Sequence, residues 1–139
     1  GNCDGSQLSA SALDAKVYAG GTQEIGWSTV EITAEGMTDK VFSSLGLETA
    51  EVFQWHGDTF DIPKKSVLLA SSSLYTNQAF RYGSNVYGLQ FHIEVSPEII
   101  EEWFTSNPGV NLAAMLDHAN KIYPDYRERA QLFYERFFA

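Results

Sequence analysis

The chain has 139 residues, enough for one hydrophobic core, and a net charge of −9 from 18 acidic and 9 basic side chains. This balance argues against a nucleic-acid partner, because phosphate contacts need clustered Lys and Arg. A single cysteine cannot form an internal disulfide, which indicates a reducing compartment. No apolar run approaches the ~20 residues that cross a bilayer, and no signal-peptide pattern is seen. We therefore expect a cytoplasmic protein without a membrane partner.

A short helix and a run of strands are predicted for the first two thirds of the sequence. A helical pattern begins at Cys3 and is expected to end near Asp14. Alternating and apolar runs follow, with Gly20-Gly21 as a turn between the first two strands and Gly83-Ser84 as a hairpin-like turn between the last two. The predicted strands are 16–19, 27–33, 51–55, 66–71, 78–82 and 85–91.

The last third of the sequence predicts helices. Ser96-Pro97-Glu98 has a Ser suited to the N-cap, a Pro suited to the first helical position and an acid in the first turn. Apolar spacing then predicts two more helices, over 110–122 and 124–138. We expect these helices to cover the sheet. The alternative is an exposed aromatic face that binds a partner, formed by Tyr126, Phe133 and Phe137.

Cys3 is the only cysteine and lies between two glycines in Gly1-Asn2-Cys3-Asp4-Gly5-Ser6-Gln7. Small residues on both sides permit the sharp strand-to-helix turn that exposes a nucleophile, and a helix N-terminus stabilises a thiolate. A lone buried cysteine is more often a small hydrophobic residue. The nucleophile interpretation therefore requires a base elsewhere in the chain.

His92 is the candidate base. It lies near the end of an apolar run, 87–93, that is typical of a buried strand and is followed by Glu94. Because residues two apart in a strand point to the same face, Glu94 can sit beside His92 and hold the imidazole in one tautomer. Cys3, His92 and Glu94 thus form a predicted triad in chain order.

These two segments resemble the motifs of class I glutamine amidotransferases, G-x-C-x-G-x-Q for the nucleophile and H-x-E for the base and its acid. The similarity spans residues 1 to about 95 and is to the branch related to the glutaminase domain of GMP synthase. Five motifs in the family's order are far more specific than either triad motif alone. The further matching segments are Glu24-Ile25-Gly26-Trp27, Phe53-Gln54-Trp55-His56-Gly57-Asp58 and Gln78-Ala79-Phe80-Arg81-Tyr82-Gly83.

The resemblance implies an α/β fold, a flavodoxin-like three-layer sandwich with a mixed, largely parallel central sheet and a nucleophile elbow. Residues 1–95 would hold the elbow, the sheet and the triad, and 96–139 the covering helices. Family domains begin before the elbow, with a glycine-rich loop that supplies one oxyanion-hole amide. We therefore expect 1–139 to be the C-terminal two-thirds of one domain, to need the N-terminal segment as a partner, and to be nearly inactive without it.

The function implied by the resemblance is hydrolysis of the glutamine side-chain amide through a cysteine thioester, giving glutamate, and ammonia for a synthase partner. Cys3 would be the nucleophile, His92 the base, Glu94 its orienting acid, and the backbone N–H of Asp4 an oxyanion-hole donor. No cofactor is expected. No metal is expected either, because three dispersed histidines and one cysteine show no ligand spacing. Substrate contacts are expected from Gln7, Gly57 and Asp58.

The sequence gives less reason to assign the other two histidines a catalytic or substrate-binding role. His118 lies in a helical run, where a solvated position is expected. His56 is either a turn residue or part of the 55–58 loop that the resemblance places at the glutamine.

Two other functions remain open. A stand-alone hydrolase of γ-glutamyl peptides could use the same triad, because the thioester chemistry is indifferent to the leaving amine. A non-catalytic binding domain is the third alternative. Family members usually carry apolar residues where Asn2 and Asp4 stand, and a carboxylate beside Cys3 opposes thiolate formation.

Overall fold

The computed structural model describes residues 16–46, 48–84, 86–93 and 95–138. The predicted elbow and the helix after Cys3 lie outside these residues. Among the described residues there is no helix with both the length and the apolar character that crossing a membrane requires.

The described strands form one five-stranded sheet in the order β2-β1-β3-β4-β5. Each described neighbour pair is antiparallel, so the largely parallel sheet that we expected is not seen in this part of the chain. Strands β3, β4 and β5 are consecutive and joined by short connections, which favour antiparallel pairing, whereas a longer connection with a helix separates β1 from β2. The strands are β1 (Val17–Ile32), β2 (Thr49–Phe60), β3 (Ser66–Ser71), β4 (Ala79–Tyr82) and β5 (Val86–Leu89).

Strand β1 replaces the two strands predicted over 16–19 and 27–33. The predicted turn at Gly20-Gly21 is instead part of an irregularity between Ala19 and Glu24, where the register with β2 shifts. Extra residues in one strand of a pair are accommodated as a bulge, so the chain continues past the glycines without reversing. Strand β2 is also longer than predicted and runs through the expected 55–58 loop to Phe60.

Three α-helices are described: α1 (Ala34–Thr38), α2 (Pro97–Phe104) and α3 (Leu112–Phe137). A 3₁₀ turn follows α1 at Phe42–Leu45. The start of α2 agrees with the prediction, since the Ser96 side chain accepts a hydrogen bond from the Ile99 N–H. The two helices predicted over 110–122 and 124–138 are one helix with Pro124 inside it. Pro124 lacks the N–H that a helix interior needs, but the buried Ala119 and Tyr126 on either side pack in one cluster.

Two larger clusters of buried apolar side chains, together with a third formed by Phe60 and Phe80, make up the core of the described residues. The larger lies between the sheet and the second half of α3, and includes Val30, Phe91 and Phe133. The smaller joins β2 to α2 and to the first half of α3. Its buried members are Phe53, Val95, Ile100, Phe104, Ala119 and Tyr126. The smaller cluster adjoins the segment that carries His92.

The alternative of an exposed aromatic face on the last helix is wrong for two of its three residues. Tyr126 and Phe133 are each 3% exposed, because α3 turns both rings toward the core. Phe137 is 37% exposed and packs its ring against Tyr87.

Candidate active site

The structure describes three of the predicted site residues. His92, Gly57 and Asp58 lie in described segments, whereas Cys3, Asp4, Gln7 and Glu94 lie outside them. The described geometry therefore covers the surroundings of the base and of the predicted substrate segment, and not the triad as a whole.

His92 is fixed through its backbone on two sides. Its N–H donates a 2.9 Å hydrogen bond to the Phe53 carbonyl, forming an isolated antiparallel bridge to β2. Its carbonyl accepts a hydrogen bond from the Tyr126 hydroxyl of α3. These bonds connect the segment after β5 to a strand of the sheet and to the covering helix. The backbone of His92 is thus held by hydrogen bonds to β2 and to α3.

The imidazole of His92 packs against a group of aromatic side chains. The residue is 6% exposed, and its ring meets the Trp103 ring of α2 edge-on at 5.1 Å between centroids. Trp103 also contacts Phe53 and Trp55 of β2. Aromatic packing of this kind restricts the ring of a histidine to a narrow range of orientations. A histidine held in this way is suited to act as a positioned base.

Gly57 and Asp58 are exposed and lie where the ladder between β1 and β2 is interrupted. His56 pairs with Glu24 and Asp58 with Ala19, so four residues of β1 stand opposite Gly57 alone. A strand segment without regular partners can turn its backbone groups toward a ligand. The structure supports neither a turn nor a loop at 55–58, but it leaves Gly57 and Asp58 accessible.

Immediately before this pair, His56 is buried and both of its ring nitrogens face oxygen acceptors. Nδ1 lies 3.0 Å from the carbonyl oxygen of Asp58, and Nε2 lies 2.7 Å from Oε1 of Glu24. Glu24 Oε1 also accepts a 3.1 Å hydrogen bond from the Gln78 side chain. The turn role that we considered for His56 is therefore wrong, since the residue belongs to a buried polar network beneath Gly57 and Asp58.

Tyr75 covers the other side of this network. Its ring meets the His56 ring edge-on at 4.7 Å, and its hydroxyl donates to the Thr22 carbonyl. Burial raises the pKa of the Tyr75 hydroxyl, and the negative charges of Glu24 and Asp58 raise it further. Tyr75 is thus a neutral hydrogen-bond donor at physiological pH.

His118 is not simply solvated, as the sequence suggested. Its Nε2 pairs with Oε2 of Glu51, and the two side chains are 40% and 37% exposed. The pair joins α3 to β2 across the Trp27 ring, which lies 5.7 Å from the imidazole. His118 therefore makes a structural contact that is separate from the surroundings of His92.

The family model described as glutamine amidotransferase class-I matches residues 1–108, which include every predicted site residue. The chain belongs to this family. The match confirms the resemblance that the motifs around Cys3 and His92 predicted. It does not by itself test the role of either residue.

Individual class I amidotransferases and their relatives resemble the chain at about one-third identity. It is 34% identical over 101 residues to the glutamine amidotransferase-like protein YfeJ of Salmonella typhimurium, covering 73% of this chain and 42% of that protein. It is 33% identical over 106 residues to the glutamine-hydrolyzing GMP synthase of Edwardsiella ictaluri, covering 69% of this chain and 19% of that one. The chain thus spans less than half the length of these curated relatives.

A solved glutamine amidotransferase from Thermotoga maritima superposes with a TM-score of 0.89 at 35% identity, covering 99% of this chain and 60% of that structure. The class I amidotransferase fold is therefore confirmed. The described antiparallel sheet with its helices is part of that larger fold.

Several residues around His92 and around Gly57 and Asp58 were not singled out from the sequence as site residues. The sequence offered Trp103 only as an apolar helix position and Tyr126 as part of an exposed aromatic face, because their contacts with His92 depend on how α2 and α3 pack. Glu24 and Gln78 belong to the matching segments 24–27 and 78–83, so the resemblance contained a signal for them. Tyr75 had no such signal.

Proposed function

We propose that the chain carries the catalytic residues of a glutaminase that hydrolyses the side-chain amide of glutamine to glutamate and ammonia. Cys3 is the nucleophile, His92 the general base and acid, and Glu94 the carboxylate that orients the imidazole. Gln7, Gly57 and Asp58 contact the substrate.

The observation that carries the proposal is the position of His92 within a confirmed class I amidotransferase domain. The family match spans residues 1–108, the range that contains Cys3, His92 and Glu94. His92 is buried, bridged to Phe53 and packed on Trp103. A base that must take and return a proton at one place benefits from such restraint.

In the first half of the reaction, His92 takes the proton of the Cys3 thiol, and the thiolate attacks the side-chain carbonyl carbon of glutamine. The backbone N–H of Asp4 stabilises the oxyanion together with a second amide from the segment of the domain that precedes Cys3. The C–N bond then breaks, and the imidazolium of His92 gives its proton to the departing ammonia. The product is a γ-glutamyl thioester on Cys3.

In the second half, His92 removes a proton from water, which attacks the thioester carbon. The C–S bond breaks, glutamate leaves, and the thiolate of Cys3 is regenerated. One glutamine and one water have become one glutamate and one ammonia. Glu94 stabilises the imidazolium that forms in each half.

The ammonia is delivered to a synthase, on another chain or in another domain. The GMP synthase relative is named as glutamine-hydrolyzing, which supports glutamine as the substrate. A stand-alone γ-glutamyl peptide hydrolase is the alternative enzyme. It predicts faster turnover of γ-glutamyl conjugates than of glutamine.

A non-catalytic, ligand-binding role is favoured by one specific observation. Asp4 places a carboxylate next to Cys3 in the sequence, and a like charge opposes formation of the thiolate. In that case Cys3 would not react with glutamine-like electrophiles.

The test is covalent labelling of the full-length protein with the glutamine analogue diazo-oxo-norleucine, followed by mass spectrometry, beside an assay of ammonia release. We expect one adduct on Cys3 that glutamine suppresses, and none in Cys3→Ala. His92→Asn should lower ammonia release by about 10²-fold or more. His118→Asn, which alters the second histidine–glutamate pair, is the matched control and should leave activity unchanged. An unlabelled, well-folded protein would overturn the proposal in favour of the binding role.

A further inference from the structure

Trp27 belongs to the matching segment Glu24-Ile25-Gly26-Trp27, to which the proposed chemistry assigns no role. It lies on β1 directly opposite Phe53 of β2, and the two rings meet edge-on with 5.2 Å between their centroids. The side chain is half-buried and packs on the smaller core cluster, which joins β2 to α2 and to the first half of α3. Trp27 therefore reaches from the sheet to the covering helices.

The same indole also contacts α3. It meets the Tyr126 ring edge-on, again with 5.2 Å between centroids, and its Nε1–H donates a 3.3 Å hydrogen bond to the Met115 carbonyl. Edge-on contact is a favoured arrangement for aromatic rings, because the positive edge of one ring meets the negative face of the other. One side chain of β1 is thus joined to two places on the long helix.

Both ring partners of Trp27 hold the backbone of His92. The Phe53 carbonyl accepts the His92 N–H at 2.9 Å, and the Tyr126 hydroxyl donates to the His92 carbonyl. The indole therefore lies against the acceptor residue on one side of His92 and against the donor residue on the other. A link from Trp27 to His92 runs through each of them.

The separation of β2 and α3 decides whether His92 can make both backbone bonds. Phe53 belongs to the strand and Tyr126 to the helix, so the two bonds exist together only at one spacing of these elements. Protein interiors are close-packed, and neighbours move into part of the space that a lost ring leaves. Removal of the Trp27 ring would therefore shift the helix against the strand. A displacement of about 1 Å at a reacting group can lower a rate by about 10²-fold.

Gly26 provides the backbone conformation that comes immediately before Trp27. Its φ is +104°, in the region that residues with a side chain rarely adopt. The ladder with β2 continues on both sides of it, since Ile25 pairs with Trp55 and Trp27 with Phe53. A glycine and an aromatic residue are thus both required at this place, which accounts for two residues of the matching segment.

From these contacts we infer that Trp27 is a positioning residue for His92. Its ring sets the spacing of Phe53 and Tyr126, and through them the position of the base relative to Cys3. Trp27 acts through these two residues and not on glutamine itself, so its loss should lower kcat and leave substrate capture almost unchanged. This inference rests on the proposed glutaminase function, in which His92 is the base.

The first test is steady-state glutamine hydrolysis by variants of the full-length protein. We expect Trp27→Leu to lower kcat by about tenfold and to change KM by less than about threefold, because a displaced base weakens the transition state more than binding. Trp27→Phe keeps an aromatic ring between Phe53 and Tyr126 and should keep kcat within about threefold of the wild type. Phe133→Leu, which removes a buried ring of α3 from the larger core cluster, is the matched control and should leave kcat unchanged.

Alkylation by iodoacetamide reports the position of the base without glutamine. The pKa of a free thiol is about 8.5, so at about pH 6.5 it reacts slowly unless a base beside it takes its proton. Trp27→Leu should slow alkylation of Cys3, followed by mass spectrometry of its peptide, by about the same factor as kcat. Phe133→Leu should keep the wild-type rate. A merely structural role of Trp27 would lower the stability of both variants and leave alkylation of the folded proteins unchanged.

Tyr126→Phe tests the same link with the loss of a single oxygen, and so remains informative if Trp27→Leu does not fold. It should lower kcat by about threefold or more. In the double variant the loss should be smaller than the product of the two single losses, because both changes act on one contact of His92. An unchanged kcat in Tyr126→Phe, or losses that multiply, would refute the link through Tyr126.

Failure of this inference differs from failure of the glutaminase function. If the wild-type protein hydrolyses glutamine and Trp27→Leu keeps its kcat, or loses kcat while Cys3 is alkylated at the wild-type rate, the positioning role is refuted and the glutaminase function stands. If the wild-type protein neither hydrolyses glutamine nor reacts with diazo-oxo-norleucine, the glutaminase function fails and the positioning role fails with it.

Discussion

The backbone N–H of His92 donates to the carbonyl of Phe53 at 2.9 Å, and the side chains of both residues contact Trp103. The bridge ties the segment after β5 to β2, which is the strand that also carries Gly57 and Asp58. One strand therefore connects the predicted base to the predicted substrate segment. Displacement of β2 would alter both.

Tyr126→Phe tests the second backbone contact of His92. The Tyr126 hydroxyl is buried and donates to the His92 carbonyl, so its removal leaves a buried acceptor with one donor fewer. We expect a loss of about 1–2 kcal/mol in the free energy of unfolding, measured by urea denaturation. Tyr123→Phe, at a half-buried position one turn earlier in α3, is the control. Equal losses in the two variants would contradict a specific role for the Tyr126 hydrogen bond.

Asp39→Asn tests a buried carboxylate that joins three parts of the fold. The Asp39 side chain accepts hydrogen bonds from the Phe42 N–H, the Tyr87 hydroxyl and Arg81. Burial acts to raise the pKa of Asp39, but these bonds together with that from the Val41 N–H outweigh it and lower the pKa. The stability from this shift is present above about pH 4 and is lost as the pH falls through the lowered pKa.

We therefore expect Asp39→Asn to cost about 2 kcal/mol at neutral pH and to flatten the loss of stability below about pH 4. Urea denaturation at a series of pH values measures both effects. Asp117→Asn is the control, because the Asp117–Lys121 pair is more than two-thirds exposed and contributes little. If the free energy of unfolding falls as steeply below about pH 4 in Asp39→Asn as in the wild type, the lowered pKa of Asp39 is not the source of the acid sensitivity.

Tyr87→Phe tests the alkaline side of the same contact. Burial, together with the hydrogen bond to Asp39 and its negative charge, raises the pKa of Tyr87 from 10.0 to about 12. Between these two values the unfolded chain loses the Tyr87 proton and the folded protein keeps it, so stability present below pH 10 is lost as the pH rises toward 12. We expect Tyr87→Phe to lose less stability than the wild type as the pH rises from 10 to 12. A tyrosinate absorbance titration of this variant should show one fewer tyrosine titrating at high pH. Tyr82→Phe on β4 is the comparison, and an identical late titration in both variants would count against the assignment.

Pro124→Ala tests whether α3 is continuous in spite of its proline. Proline inside a helix removes one hydrogen bond and crowds the preceding turn, so alanine should stabilise the protein by up to about 3 kcal/mol. Thermal and urea unfolding measure the change, and the exposed position of Pro124 means that no packing should be lost. A clear loss of stability would show that the helix depends on a bend at Pro124.

Features that depend on nearby residues could be predicted from the sequence. Ser96 and Pro97 start α2 because an N-cap hydroxyl and a preset backbone angle act within one turn. Strand β3 was predicted within its observed bounds, and Gly83-Ser84 do separate β4 from β5. The family was also recognisable, because the segments around Cys3 and His92 match its short motifs, which are read from neighbouring residues alone.

Other features depended on partners distant in the sequence. Gly20-Gly21 indicated a turn, but pairing of β1 with β2 carries the strand through them. Apolar spacing predicted separate helices over 110–122 and 124–138, but packing on both sides of Pro124 continues one helix. The tertiary structure likewise decided that Tyr126 meets His92 and that Glu24 meets His56, 34 and 32 residues apart. Local propensities amount to about 1 kcal/mol per residue, and long-range pairing and burial outweigh them where the two disagree.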